Sequence, residues 1–259
     1  MSRYYRSFLE ESGAVYTART TAFATATGIT DVTILGALNT FDLGLISNSL
    51  DAKMKAVYPF VGGDATKHSY NFINPSLYQI TWFGGITHNA SGVTGNGTNG
   101  YGNTNLIPST TLSQNNTAIG VNISSDYNGV GADFGSREVA GAKGLTLQTR
   151  EANSVYYQVN SATNSSTSNT SSIGLWTLSR LASNLSTLYK NTSSFHSNTS
   201  VSDNLSPYSI YLLSFNQTNS MYYPSPRRQN LAFVGNGLNG SEVSALSTLV
   251  TNLQTTLGR

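Results

Sequence analysis

Apolar residues along most of this chain recur at every second position. Ile119, Val121 and Ile123 alternate with Gly120, Asn122 and Ser124. Leu145/Leu147, Val155/Tyr157/Val159, Tyr211/Leu213/Phe215 and Leu231/Phe233 repeat the pattern, and Tyr70 and Phe72 open it. A period of two marks strands with one face buried. Polar turns separate the runs, at Asn89–Gly102, Asn128-Gly129 and Asn160–Ser172. Short alternating strands without intervening helices predict a β-sandwich or barrel rather than an α/β sheet. A large sandwich fits 259 residues better than an immunoglobulin module of about 100.

Two segments break the period. In residues 30–57, Ile34, Leu35, Leu38, Phe41 and Leu45 share a helical face, and Thr30 or Asp31 can cap it. Ser49-Leu50-Asp51 predicts a second short helix through Leu50, Met54 and Val57, ended by Pro59. This pair is expected to cover an edge of the sandwich or to fix the N-terminal segment; a partner-binding helix is the sharper alternative. Near the C-terminus, the strand Leu231–Val234 enters Gly235-Asn236-Gly237. Asn239 to Ser241 then offer a helix start with Glu242 in the first turn, and Val243, Leu246, Val250, Leu253 and Leu257 form one stripe before Gly258. The expected division is an arm over 1–28, a helical leader over 29–59, and a β-sandwich with its C-terminal helix over 60–259.

Composition narrows the function classes. Charged residues make up 10% of the chain against about 25% in ordinary domains, while 38% is hydrophobic. Asn, Ser, Thr and Gly fill the difference, which suits polar turns and a surface crowded by neighbouring protein. A net charge of +2 without a basic run argues against a nucleic-acid groove. With no cysteine there is no disulfide framework, thiolate zinc site or Cys nucleophile. The start MSRYYRSFLEESGAVYT carries charges where a signal peptide would be apolar, so export is not expected, and no window is long and apolar enough to span a bilayer. Asn-x-Ser/Thr triplets, such as those at Asn89, Asn96, Asn122, Asn184, Asn191 and Asn216, are read as a by-product of this composition rather than as glycosylation sites.

Several segments, in order, resemble a known family. Residues 27–63, TGITDVTILGALNTFDLGLISNSLDAKMKAVYPFVGG, resemble a leader that precedes concanavalin-A-like (laminin-G-like) jelly rolls in structural proteins of tailed bacteriophages. Residues 93–108 resemble the opening segment of that sandwich, and Asn115 to Tyr127 its next long strand. Ser179 to Thr192 resemble a strand pair, with Asn191-Thr192 where the family has an Asn-Gly turn, and the strand–GxGLxxxE–helix ending resembles its closing element. The resemblance implies a mainly β, concanavalin-A-like jelly roll and a virion structural role, as a capsid decoration or head fibre. The low charge and the Tyr222-Tyr223-Pro224 and Trp82-Phe83 segments predict a homo-oligomer; the resemblance makes it a trimer, made in the host cytoplasm and carried on the virion.

Catalytic patterns are missing from the sequence. The same fold includes glycoside hydrolases with acids at alternate strand positions, E-x-D-x-x-E, and retaining hydrolysis needs two carboxyls about 5 Å apart. The acids beyond the leader, Asp64, Asp126, Asp133, Glu138, Glu151, Asp203 and Glu242, do not form that pattern. Asp133 and Glu138, near Arg137, read as surface pairs or turn caps. His68, His88 and His196 read as isolated residues, so neither a metal nor a cofactor is expected. The candidate residues are therefore for binding. Tyr4, Tyr5, Arg6 and Phe8 form an attachment arm toward other virion proteins. Trp82, Tyr101, Tyr222 and Tyr223 are candidate interface or glycan aromatics, and Tyr127 could supply a further face. The alternative function is a tail-fibre or receptor-binding carbohydrate-binding module recognising a host surface glycan; a glycoside hydrolase ranks below both.

Overall fold

The computed structural model describes residues 15–139 and 142–259, so Tyr4, Tyr5, Arg6 and Phe8 lie outside the described residues. Among the described residues the helices are α1 Ala18–Thr27, α2 Val32–Ser47, α3 Ala65–His68, α4 Pro108–Thr111 and α5 Gly240–Thr256. The first nine strands are β1 Met54–Tyr58, β2 Thr81–Phe83, β3 Ile86–Asn89, β4 Gly92–Gly95, β5 Tyr101–Asn103, β6 Thr117–Ile123, β7 Phe134–Arg137, β8 Gly144–Glu151 and β9 Ser154–Ser161. The rest are β10 Ser165–Ser168, β11 Gly174–Ala182, β12 Leu185–Lys190, β13 Ser193–Asn198, β14 Tyr211–Leu212, β15 Phe215–Gln217, β16 Ser220–Tyr222 and β17 Arg228–Gly235.

Among the described residues these strands form two sheets. The back sheet runs β13-β12-β11-β6-β17-β4-β3, with β1 also paired to β17. The front sheet runs β10-β9-β8-β7-β14-β5-β2, and β15 and β16 extend it from β7. The long ladders are antiparallel, as in β6 with β11 and β17 and in β8 with β9; β15 with β7 is a parallel pair.

Alternation explains the layering. Ile119, Val121, Ile123, Trp176 and Leu178 of the back sheet meet Leu145, Leu147, Val155, Tyr157 and Val159 of the front sheet in one core. The intervening back-sheet residues Ala118, Leu175, Leu231 and Phe233 point the other way and are apolar too. A sheet apolar on both faces must be covered on both. Helices α1, α2 and α5 supply the second cover through Phe23, Leu35, Leu38, Phe41, Val243, Leu246, Val250 and Leu253. Gly120 makes room for this layer: a Cβ there would lie 2.2 Å from the Phe233 ring.

The helix ends are set locally. The Asp31 carboxylate accepts from the backbone N–H of Thr33 and Ile34 at 2.8 and 3.0 Å. Asn239 and Glu242 form a reciprocal capping box at the start of α5. Caps contribute about 1 kcal/mol each. Each buried Leu or Val contributes about 1.5–3 kcal/mol, so packing rather than propensity holds α5 in place.

The structure departs from the sequence reading at several points. Residues 18–27, read without an element, form α1; its signal is thin because Ala and Thr dominate, and Phe23 is its one large buried residue. Residues 51–57 are not a helix but a 3-10 turn, Asp51–Lys53, followed by β1. Leu50, Met54 and Val57 are buried as expected, but pairing of Ala56 with Val234 selects the extended chain, so the sheet begins inside the segment read as leader. The helices cover a face of the sandwich, not an edge. The turn between β11 and β12 falls at Ser183-Asn184, while Asn191 turns the chain into β13. At Leu213, φ is +59°, and the alternation slips so that Leu212 and Leu213 both enter the core. Asn216 is fully buried and donates to the Ser209 carbonyl at 2.8 Å, a position no glycan can occupy in the folded chain.

Candidate functional site on the front sheet

Among the described residues, the outer face of the front sheet carries no helical layer. Strand register lays one row of residues across it: Gln158, Thr146, Gly135, Tyr211, Asn103 and Thr81. Six strands span about 24 Å at ordinary strand spacing. Gln148 pairs with Tyr156 in the next row. Gly135 has φ +143°, and a Cβ there would meet the Leu145 carbonyl at 2.2 Å, so only glycine permits this close approach of β7 to β8.

The floor is polar yet shielded. Thr146, Gln148, Gln158 and Tyr211 are buried, while Phe83, Tyr127, Val130, Tyr222 and Tyr223 stand exposed around them. A cleft of about 320 Å³ opens at the β7–β8–β9 end, lined in part by Arg137, Thr146, Gln148, Glu151, Tyr156 and Tyr223. The Arg137 guanidinium lies 4.3 Å over the Phe215 ring, and its Nε donates to Gln217 Oε1 at 2.7 Å. Partial burial lowers the pKa of Arg137, though it stays charged. Gln148 Nε2 donates to Glu151 at 2.5 Å.

The four sequence-predicted aromatics fall in separate places. Tyr101 stacks between Phe83 and Tyr211, with ring centroids 4.8 and 4.6 Å apart, and forms an aromatic ladder on the β2–β5–β14 end of the face. Tyr222 and Tyr223 gather around Phe215 at the cleft, at 6.0 and 5.5 Å. Trp82 packs against the core and donates its indole N–H to the Ala65 carbonyl at 3.0 Å. Tyr127 lies 5.5 Å beneath the guanidinium of Arg227.

One reading of a charged group needs correction. Asp133 is not a surface residue: it is fully buried and paired with Arg227 at 3.1 Å. It also accepts from the Thr149 N–H and hydroxyl at 2.8 and 2.7 Å, while Arg227 donates to the Gly131 and Tyr127 carbonyls. The pair ties the front sheet to the approach of β17, and a buried charge is tolerable only when neutralised in this way. Glu138 does form a more open pair, with Lys143 at 2.9 Å.

The histidines are not isolated either. His68 and His88 approach with Nδ1 atoms 3.1 Å apart, beside Trp82. His68 Nε2 accepts the Gly63 N–H at 3.2 Å, which leaves its Nδ1 as the donor to His88. Burial pushes the His68 pKa down to about 3, and the neighbouring His88 adds to the shift; burial also lowers His88. His196 Nδ1 lies 2.7 Å from the Tyr157 hydroxyl. Among the described residues no group of three His or acidic side chains forms a metal site.

Sequence reasoning missed Arg137, Gln148 and Tyr156 as partners. Alternation with Leu147 and Tyr157 places Gln148 and Tyr156 off the core face, but it cannot show that β7, β8 and β9 are neighbours.

No family model and no curated protein matches this chain by sequence. Solved structures do resemble it in fold. Domain 4 of AbnA, a GH43 extracellular arabinanase from Geobacillus stearothermophilus, in complex with arabinotriose, is 15% identical with a TM-score of 0.50, over 76% of this chain and 98% of that one. Trypanosoma rangeli sialidase, in complex with a difluorinated KDN, is 11% identical with a TM-score of 0.52, over 82% of this chain but 39% of the sialidase. An HCR/D mutant is 13% identical with a TM-score of 0.52, over 77% of this chain and 53% of that one. With the topology above, these likenesses show the fold alone: a mainly β, concanavalin-A-like jelly-roll sandwich with a C-terminal helix.

Proposed function

We propose that this chain is a non-enzymatic, glycan-binding structural protein of a tailed-bacteriophage virion. The observation that carries the reading is the front face, a polar floor with an exposed aromatic rim, where the other sheet carries a helical layer over its centre. Sugar rings present apolar faces and many hydroxyls. Such a ligand suits the Phe83–Tyr101–Tyr211 ladder beside Thr, Asn and Gln side chains. The arabinotriose bound to the arabinanase domain adds support by analogy of fold. The cleft presents one carboxylate, Glu151, where glycoside hydrolysis ordinarily uses a pair, and this favours binding over catalysis.

The virion setting rests on the resemblance of residues 27–63 and of the segments that follow in order. A capsid decoration or head fibre is the favoured placement, as a homo-oligomer, most simply a trimer. Attachment is assigned to the segment before α1, with Tyr4, Tyr5, Arg6 and Phe8; α1 itself belongs to the core through Phe23. The same front face supports a second reading, a tail-fibre or receptor-binding module that meets a host surface glycan.

A glycan array probed with the purified chain tests the binding half. Specific retention on one saccharide class is the expected result, and an empty array overturns it. Mass spectrometry and immunogold labelling of purified particles test the virion half and separate head from tail. Deleting residues 1–14 should leave a folded protein that no longer joins particles.

A further inference from the structure

The cleft has a directional charge pattern. Arg137 uses its Nε on Gln217 and its flat face on Phe215. Its two terminal nitrogens donate to no acceptor among the described residues, although Arg137 lines the cleft. A guanidinium held in place with its fork unused is pre-organised for a planar two-oxygen acceptor. Glu151 lies toward the other end. Ser136 pairs with Leu145, and Glu151 follows further along β8, past a register shift, with its carboxylate drawn back onto the Gln148 amide. Glu151 is an acceptor already held by Gln148, ready for hydroxyl donors. Between them lie Thr146, Gln148 and the Tyr156 ring, with Tyr223 also on the lining.

We infer that this cleft binds a carboxylated saccharide, a uronic or nonulosonic acid unit, with its carboxylate on the Arg137 fork and its ring hydroxyls directed along the cleft toward Glu151. The inference rests on the glycan reading and adds the ligand's charge and orientation. Glu151 disfavours a polyanion such as a nucleic acid or a multiply phosphorylated group. An acidic peptide would satisfy Arg137, but it offers few hydroxyl donors for Glu151 and no ring face for the tyrosines.

Titration calorimetry of the full chain with matched probes tests it: trigalacturonate against its methyl ester, sialyllactose against lactose, and hexaglutamate. At least one acid probe should bind at least tenfold tighter than its uncharged partner, and added NaCl should weaken only the acid. Arg137→Gln should erase the difference, and Arg137→Lys, which keeps the charge but loses the fork, should restore it only in part. An unchanged melting temperature keeps these readouts separate from folding. If neutral and acidic probes bind equally and Arg137→Gln has no effect, the inference fails while the glycan reading stands. If hexaglutamate binds as tightly as the best acid sugar, the ligand class is wrong. If neither these probes nor any array saccharide binds, both readings fall.

Discussion

The two outer faces of this sandwich start from the same alternating backbone and end as opposites. The back sheet turns Ala118, Leu175, Leu231 and Phe233 outward, and three helices bury them. The front sheet turns Thr146, Gln148, Tyr156 and Gln158 outward at the equivalent alternate positions, and no helix among the described residues covers them. One face therefore contributes stability, and the other stays open as the candidate binding surface. The difference lies in a few side chains per strand, since an apolar face must be covered and a polar one need not be.

The largest expected effect is on the covered face. Leu246→Asp or Leu253→Asp puts an unpaired charge under α5, at positions at most 2% exposed, and should cost about 4 kcal/mol by denaturant unfolding. Unchanged midpoints in both variants would break the comparison, because α5 would then not be part of the fold.

A similar loss should follow at the join between the sheets. Asp133→Ala strands the Arg227 charge in the interior and should cost about 3–5 kcal/mol. Replacing both residues with apolar ones should recover much of it, and a double-mutant cycle measures how much.

A smaller, pH-dependent effect belongs to the edge where α3, β2 and β3 meet. His68 has a folded pKa of about 3 against an ordinary value of 6.5. A lowered pKa means that the unfolded chain binds the proton more readily. The stabilisation is therefore complete above about 6.5 and is lost as pH falls toward 3. Between pH 7 and pH 5 the loss should reach about 2 kcal/mol. His68→Gln, whose amide oxygen can take the Gly63 N–H, should flatten that part of the profile. A parallel decline in the variant would place the acid sensitivity elsewhere.

The smallest effect on stability is expected on the open face. Tyr223→Ala, at a position 43% exposed, should change unfolding by no more than about 0.5 kcal/mol. It should weaken glycan binding by about three- to tenfold, as lost aromatic stacking does. Strong destabilisation by this change would mean that the rim is structural and the two faces are less different than they look.

Much of the fold is legible in the residues. The Leu145/Leu147 and Val155/Tyr157/Val159 alternations are the core of the front sheet. Asn239, Glu242 and the Val243–Leu253 stripe mark α5 and its buried face. Asp31 and the Leu35–Leu45 face mark α2. Segments with weak or ambiguous periods were harder. In α1 the apolar signal is one Phe, and Leu50–Val57 carries a spacing that suits helix or strand until β17 supplies a ladder. The candidate site was half visible. Tyr101, Tyr222 and Tyr223 lie on the front face as exposed or half-buried aromatics, whereas Trp82 packs mainly as structure.

The sequence by itself determined the local facts: which residues alternate, where helices start, that charge is scarce, and that no E-x-D-x-x-E run is present. These depend on neighbours in the chain, and period and capping report them directly. Only the tertiary structure decided which strands adjoin. It set Arg137, Gln148 and Tyr156 on one cleft, stacked Tyr101 between Phe83 and Tyr211, buried Asp133 against Arg227, and joined His68 to His88. Those pairs are far apart in sequence or lie on separate strands. Their meeting follows from sheet order and register, which long-range packing selects and local patterning leaves open.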